Sequence, residues 1–422
     1  MSLKIEMLLS EFINLHPKYI DLSLKRIKIL LHKLDNPHLK LPPTIHIAGT
    51  NGKGSTLSYL RYIMMEKNLK VHVYTSPHLQ KFNERIITAN KEITNKKLYN
   101  ILQFIKKINA GQPITFFEIT TVAAFYIFSK EKADLLLLET GLGGRLDATN
   151  IVKNTLINII TPIGIDHQDF LGKSIYKIIN EKLGIIKPKS NIIISKQKLF
   201  VTKYIKRKIH KKNNNKLFYG KNFKIIEINK KEFVFRFEKN NYVYKIPKLL
   251  GNHQIENAST AIATILNLNK IGFNFSKKNI NDGIKKTIWP GRLERGKLNN
   301  IPVYLDGAHN TDGALQLLNF FKYKKFKCWL IVGMLNNKDI DSFLRLLKPV
   351  LEGVIAIKIP SEKNSYETNQ IATVCKKRKI LCIEKENIKM SNKFLIKEIK
   401  PKRILVSGSL YLIGKIRKYY LK

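Results

Sequence analysis

Short apolar runs rich in Ile, Val and Leu alternate along this chain with stretches whose apolar residues recur every three or four positions. Runs at 44–48, 71–74, 135–139, 155–160 and 191–195 each precede a turn and, in most cases, a helical pattern, which is the rhythm of a doubly wound parallel sheet. After Ser55, apolar Leu57, Leu60, Ile63 and Met64 fall at helical spacing. Residues 196–250 lose this rhythm. A basic, Asn-rich stretch at 210–216 is followed by alternating Phe233, Phe235 and Phe237, which predicts a small antiparallel excursion. Trp289-Pro290-Gly291-Arg292 approaches a domain boundary, and beyond it a second α/β unit begins at 303–305 and continues through 328–332, 354–357 and 404–406. No repeat at a solenoid period interrupts the pattern.

A chain of 422 residues is too long for one core and predicts two or three domains. Hydrophobic content of 44% with charged content of 25% is that of an ordinary globular chain, and the longest apolar runs are strand-length rather than membrane-length. The formal net charge of +45 points to nucleic acid until the basic residues are separated: only 12 of the 76 are arginine, the residue favoured for bidentate phosphate and base contacts. Lysines spread among Asn and Ile read as solvated faces, leaving a general attraction for anionic substrates. Cys328, Cys375 and Cys382 have no metal-ligand spacing and cannot all pair, and residues 1–15 carry Glu6 and Glu11 inside their apolar pattern. Both features predict a cytoplasmic protein with no secretory segment.

Candidate chemistry concentrates where strands end. The run at 44–48 empties into Gly49-Thr50-Asn51-Gly52-Lys53-Gly54-Ser55-Thr56. The glycines let the backbone turn sharply and approach an anion, Lys53 supplies a point charge, and Ser55 or Thr56 offers oxygen to magnesium at the start of a helix. Strict P-loop spacing is not met, since Gly49 and Gly52 bracket only two residues and Gly54 separates Lys53 from Ser55. Glu139, ahead of Gly141-Leu142-Gly143-Gly144, is an acid at the carboxyl end of a strand, where α/β sheets bind ligands; it suits Mg²⁺, and a helix-capping acid on a glycine turn accounts for it equally well. Ser76 before Pro77 and His167 after Asp166 stand at two more strand ends, each by itself an ordinary loop residue. Lys182 reads alone as one more surface lysine. The polar groups of 251–258 and 306–310 suit adenine and ribose as well as helix caps, and Arg292 is placed to set a guanidinium on a phosphate.

Taken in order, the segments Gly49 to Ser55, Thr75-Ser76-Pro77-His78-Leu79, Glu139 to Asn150, Ile165-Asp166-His167, Glu181-Lys182-Leu183-Gly184-Ile185, Pro290-Gly291-Arg292 and Asp306-Gly307-Ala308-His309-Asn310 resemble the folylpolyglutamate synthase/dihydrofolate synthase family of the Mur ligase superfamily. The resemblance runs from about Asn14 to Ser409. It implies an α/β fold with an N-terminal P-loop-type, mostly parallel sheet and flanking helices, plus a smaller C-terminal Rossmann-like α/β domain. The implied division is 1–293, with ATP and the pteroate or folate, and 294–422, with glutamate. ATP phosphates would sit on Gly52, Lys53, Gly54 and Ser55, with further nucleotide contacts from Asn257, Arg292, Asp306 and His309. Magnesium would be held by Ser55, Ser76, Glu139 and His167, supported by a carbamylated Lys182; Lys53, Glu139, His167 and Lys182 are the catalytic candidates. The implied pteroate contacts are Asn14, Leu15, His16 and Pro17, then Thr115, Phe116, Phe117 and Glu118, then Leu146, Asp147 and Ala148. Two departures stand out: Leu183 replaces the usual alanine and is expected to crowd the turn beside Lys182, and Pro162 replaces a small polar residue.

The implied activity is that of a monomeric ligase which uses ATP and Mg²⁺ to join L-glutamate to 7,8-dihydropteroate and to reduced folates through an acyl phosphate. A folylpolyglutamate synthase lacking the first activity is the nearest alternative, disfavoured by segments 14–17 and 115–118. The N-terminal segment also disfavours a peptidoglycan-type Mur ligase. A nucleic-acid-stimulated ATPase would ignore glutamate and pteroate, and sparse arginines with no recognisable nucleic-acid module argue against it.

Overall fold

The computed structural model describes residues 1–18 and 20–421, which divide into two units, 1–248 with 256–287 and 249–255 with 288–422. In the first unit the strands are β1 (Thr44–Ala48), β2 (Val71–Tyr74), β3 (Ile86–Thr88), β4 (Lys91–Glu92), β5 (Leu135–Glu139), β6 (Thr155–Ile160), β7 (Asn191–Ile194) and β8 (Lys216–Phe218). They lie in the order β4-β3-β2-β5-β1-β6-β7-β8. β1 is central, parallel to β5 on one side and β6 on the other. All residues of β1 and β5 are buried, as a parallel strand covered on both faces requires. The five apolar runs read from the sequence are thus contiguous parallel strands, β7 ending one residue early at Ile194. The short antiparallel β3 and β4 carry no comparable apolar run, two of their five residues being the exposed Lys91 and Glu92.

Helices cover the sheet. Ser2–Ile13, Lys25–His32, Asn95–Asn109 and Phe116–Lys130 share one core with Tyr74, Leu136 and Leu138, and helices Ile175–Leu183 and Leu199–Ile209 share another with Ile160, Ile192 and Ile194. Leu183 lies in that second core with Leu171, Ile178 and Ile179, so its bulk fills the interior instead of crowding Lys182. The antiparallel excursion is a three-stranded sheet, β9 (Phe223–Ile228), β10 (Glu232–Phe237) and β11 (Asn240–Lys245), with Phe233, Phe235 and Phe237 buried in alternation.

The second unit has its own sheet: β12 (Glu294–Leu298), β13 (Ile301–Leu305), β14 (Cys328–Val332), β15 (Leu351–Ala356), β16 (Cys382–Glu384) and β17 (Ile404–Ser407), ordered β12-β13-β17-β14-β15-β16. Only β12 runs antiparallel to its neighbour. This is the parallel α/β architecture expected for both halves. No described helix is long and apolar enough to cross a membrane.

The helix Lys277–Lys286 crosses Lys53–Glu66 at Gly283, where a Cβ would stand 2.5 Å from Ile63 Cα and 2.6 Å from its amide nitrogen. Alanine is the better helix former by about 1 kcal/mol, but here the obstacle is backbone, and overpacking costs about 1–3 kcal/mol. Gly283→Ala is therefore expected to lower the melting temperature; an unchanged or raised value would show that these helices separate without cost.

Candidate active site

β1 ends at Ala48, and the chain turns at once into the helix Lys53–Glu66. Two glycines make that turn possible. A Cβ on Gly49 would lie 1.8 Å from Thr161 Oγ1, and Gly52 has φ +82° with room for no Cβ beside Asn257 Oδ1. The turn is fastened to the loop after β6: the amides of Thr50 and Asn51 donate to the Pro162 carbonyl at 2.9 and 3.2 Å. Thr50 Oγ1 donates to the Gly164 carbonyl and accepts from the Gly164 amide, both at 3.0 Å. Pro162 therefore serves through its carbonyl, the one polar group a proline retains. Gly52 has no side chain with which to cap the helix, and an uncapped helix start offers amides and a positive dipole end to an anion. Asn257, far away in sequence, is the neighbour of that same turn.

Two lysines converge on one main-chain oxygen. Lys53 Nζ donates to the Gly49 carbonyl at 3.1 Å and Lys182 Nζ donates to it at 2.9 Å. Lys53 Nζ also stands 3.9 Å from Glu139 Oε1 at the end of β5, while Glu139 Oε2 accepts from the Ser76 amide at 3.3 Å. Lys182 is buried in the last turn of Ile175–Leu183, and its pKa falls to about 7. Burial is the main cause and the Lys53 charge the second, opposed by Asp166, Asp147 and Glu181.

The structure thus gathers Lys53, Ser76, Glu139 and Lys182. His167 ends the loop after β6 with φ +51°, its ring partly exposed and its Nε2 3.9 Å from Asp166. Among the described residues no three His, Cys, Asp or Glu side chains form a ready metal cage. Magnesium needs none: it keeps waters and binds through one or two carboxylates plus substrate phosphates. Glu139 next to the phosphate-type turn fits that pattern; Ser76 offers its amide to it, Ser55 lies in the first turn of the helix Lys53–Glu66, and His167 stands at the end of the loop after β6.

The segments implied to meet pteroate are linked. Thr115 caps Phe116–Lys130 and Glu118 closes the capping box, its Oε2 accepting from Thr115 N, Thr115 Oγ1 and Arg26 Nε. Arg26 also holds Asp21 at 2.7 Å, and Asp21 lies 3.6 Å from His16 Nε2. Arg26 and Asp21, which carry no motif in the sequence, join the first segment to the second. Asn14 and Pro17 are exposed and Leu15 packs on the core. Phe116 packs edge-on to Phe82. Phe117 lies where a Gly141 Cβ would stand, 2.5 Å from its ring, so the second segment packs against the loop that leads into the third. In that third segment Leu146 is half-buried and Ala148 buried, and Asp147 spends its oxygens on the Leu142 and Thr149 amides and the Thr149 hydroxyl. Burial raises the Asp147 pKa, and these hydrogen bonds oppose the rise.

In the second unit Asp306 is buried, accepting from the Leu293 and Ala308 amides, both at 2.8 Å, and burial pushes its pKa up against the pull of Arg292. Arg292 Nη1 donates to the Gly291 carbonyl, and His309 Nδ1 to that of Gly307. The Gly49 carbonyl as a meeting point was beyond sequence reasoning, because a backbone oxygen has no letter. The same holds for the Thr161, Pro162 and Gly164 contacts, which depend on β6 lying beside β1.

Residues 47–265 match the Mur ligase middle domain family, and residues 292–419 match the family described as Dihydrofolate synthetase, C-terminal domain. The chain is 31% identical to the dihydrofolate synthase/folylpolyglutamate synthase of Bacillus subtilis over 94% of both chains. Its structure is similar to Escherichia coli FolC in complex with DHPP and ADP, with a TM-score of 0.87 at 28% identity, covering 98% of this chain and 97% of that one. It is also similar to the Yersinia pestis bifunctional folylpolyglutamate synthase/dihydrofolate synthase complexed with AMPPNP and Mn ion, with a TM-score of 0.85 at 25% identity over 98% and 97% of the two chains.

Burial lowers the folded-state pKa of Lys182 from 10.5 to about 7, so between those values the unfolded chain holds a proton that the folded chain has lost, and stability rises with pH across that window. In CO₂-free buffer, Lys182→Met is expected to raise the melting temperature most below pH 7, the gain fading as pH climbs toward 10.5. A gain absent at neutral pH would show that the amine is solvated.

Proposed function

The chain belongs to the dihydrofolate synthase/folylpolyglutamate synthase family and is an ATP-dependent ligase, and from that premise we propose how its own residues join L-glutamate to 7,8-dihydropteroate and to reduced folates. A carboxylate resists amide formation because it is an anion with a poor leaving group. Phosphorylation corrects this: a carboxylate oxygen attacks the γ-phosphorus, the bond to ADP breaks, and the resulting acyl phosphate carries a good leaving group. The neutral amine of glutamate then bonds to the acyl carbon, and phosphate departs. The protein's task is positioning and charge neutralisation.

The observation that carries this reading is the convergence of Lys53 and Lys182 on Gly49, with Glu139 3.9 Å from Lys53. Lys53 at the helix start neutralises phosphate charge, and the turn at 49–55 cradles the phosphates. Gly52, Gly54, Ser55 and Asn257 surround the nucleotide in this reading. A bound magnesium ion would spread the charge of the transferring phosphoryl, with Glu139, Ser55, Ser76 and His167 as the ligands this chain offers.

Lys182 is carbamylated in this account. Carbon dioxide adds only to a neutral amine, forming an Nζ–C bond and releasing a proton, and a pKa of about 7 leaves much of the amine neutral near neutral pH. Without the carbamate, the Lys53 and Lys182 amines share one carbonyl, and they repel whenever Lys182 is protonated. The carbamate replaces that repulsion with attraction to Lys53, and its remaining N–H still serves Gly49. Segments 14–17, 115–118 and 146–148, joined through Arg26 and Phe117, form the pteroate side of the site. The enzyme works as a monomer with no specific nucleic-acid partner, and its three free thiols suit the cytoplasm.

Purified protein given ATP, Mg²⁺, labelled glutamate and either dihydropteroate or tetrahydrofolate is expected to yield both glutamylated products by mass. Product from tetrahydrofolate alone would reduce it to a folylpolyglutamate synthase; ATP turnover indifferent to glutamate would refute ligation. Lys53→Ala is expected to abolish product while retaining the fold, and Glu139→Gln to raise the Mg²⁺ concentration needed for half-maximal rate. Near-wild-type turnover of Lys53→Ala at saturating ATP would contradict the phosphate assignment.

A further inference from the structure

The turn that carries Lys182 is held from the side by the loop that leaves Glu139. Arg145 lies across it: the Arg145 amide donates to the Glu181 carbonyl at 2.7 Å, and its guanidinium reaches Glu181 Oε1 at 2.9 and 3.0 Å. The approach is as close as backbones allow. A Cβ on Gly144 would stand 2.6 Å from the Glu181 carbonyl and 3.1 Å from Lys182 Cα, and one on Gly184 would stand 2.6 Å from Arg145 Cα. One side chain closes the arrangement. Asn150 Nδ2 donates to the Arg145 carbonyl at 2.9 Å and to the Gly184 carbonyl at 3.2 Å, joining the loop to the residue that ends the helix. Its own carbonyl accepts from Lys187 Nζ at 3.0 Å. Asn150 Oδ1 takes no hydrogen bond among the described residues, so the polar work of this buried amide is the bridge.

We infer that Asn150 is a positioning residue for the ligase reaction, stapling the 141–147 loop to the turn after Lys182 and so setting the spacing between Glu139 and the Lys182 side chain. The inference rests on the reading of Lys182 as a carbamate. Neither group touched by the staple reacts; what it controls is where the Glu139 carboxylate and the Lys182 side chain stand. Asn150→Asp keeps the shape and replaces a donor with a carboxylate facing two carbonyls. Gly184→Ala attacks the same junction from the other side by wedging the loop away.

The test is initial-rate ligation in CO₂-free buffer with added bicarbonate, for wild type, Asn150→Asp and Gly184→Ala, each checked for a cooperative melt. Both variants are expected to need several-fold more bicarbonate for half-maximal rate and to lose kcat by on the order of tenfold or more, since displacements near 1 Å cost up to about a hundredfold. The KM for ATP should stay within about twofold, because the phosphate-type turn is fastened elsewhere, to Pro162 and Gly164. A purely structural role would lower the melting temperature and leave the bicarbonate response alone. Wild type indifferent to bicarbonate would remove the carbamate reading and this inference with it. Wild type that responds, beside a folded Asn150→Asp with the same half-saturation, would overturn the positioning role alone. Should Asn150→Asp not fold, Gly184→Ala decides by the same comparison, and should neither fold, the milder Asn150→Ser, which shortens the donor, takes their place.

Discussion

One backbone oxygen organises the candidate active site. The Gly49 carbonyl accepts from both Lys53 and Lys182, so two cations from distant parts of the chain are drawn to a single point at the end of the central strand. Such an arrangement is electrostatically costly, and the pKa of the more buried partner is depressed, first by its burial and second by the charge of Lys53. It is a site short of negative charge. An anion arriving there, whether a nucleotide phosphate or a carboxylate built on Lys182 itself, relieves the repulsion that folding imposes. The same constraint explains why residue 49 must be glycine: its carbonyl is available only because β1 and β6 approach until Thr161 occupies the space of a side chain.

Close backbone approach recurs around that point. Gly52 yields to Asn257, Gly141 to the ring of Phe117, Gly144 to the turn carrying Lys182, and Gly184 to Arg145. Each glycine removes a side chain where two segments with reactive or binding groups must meet. The phosphate-type turn, the loop from Glu139 and the helix end at Lys182 are therefore one interlocked body within the first unit.

Much of this was legible in the sequence. The parallel strands announced themselves as continuous Ile, Leu and Val runs because they are buried on both faces, and Phe233, Phe235 and Phe237 announced a sheet with one covered face. β3 and β4 did not, since short edge strands with exposed Lys91 and Glu92 lack an apolar signature. In the site, Lys53 and Glu139 are visible from glycine-rich turns after strands, and Lys182 only through resemblance, because burial is what distinguishes it from the other lysines and burial is a property of the fold. Arg26 escaped notice for a related reason, its bond to Glu118 spanning 92 residues, and Asn150, though inside the segment Glu139 to Asn150, shows no sign in the sequence of its bond to Gly184, 34 residues on. The reading of Leu183 as crowding failed because the residue points into the core with Ile178 and Ile179.

The central claim is that Lys182 completes the site as an anion. The most direct measurement is a high-resolution crystal structure grown near neutral pH with bicarbonate, ADP and magnesium. The account predicts planar density for two oxygens beyond Nζ, turned toward Lys53 and the metal. A bare ammonium still donating to the Gly49 carbonyl under those conditions would contradict it.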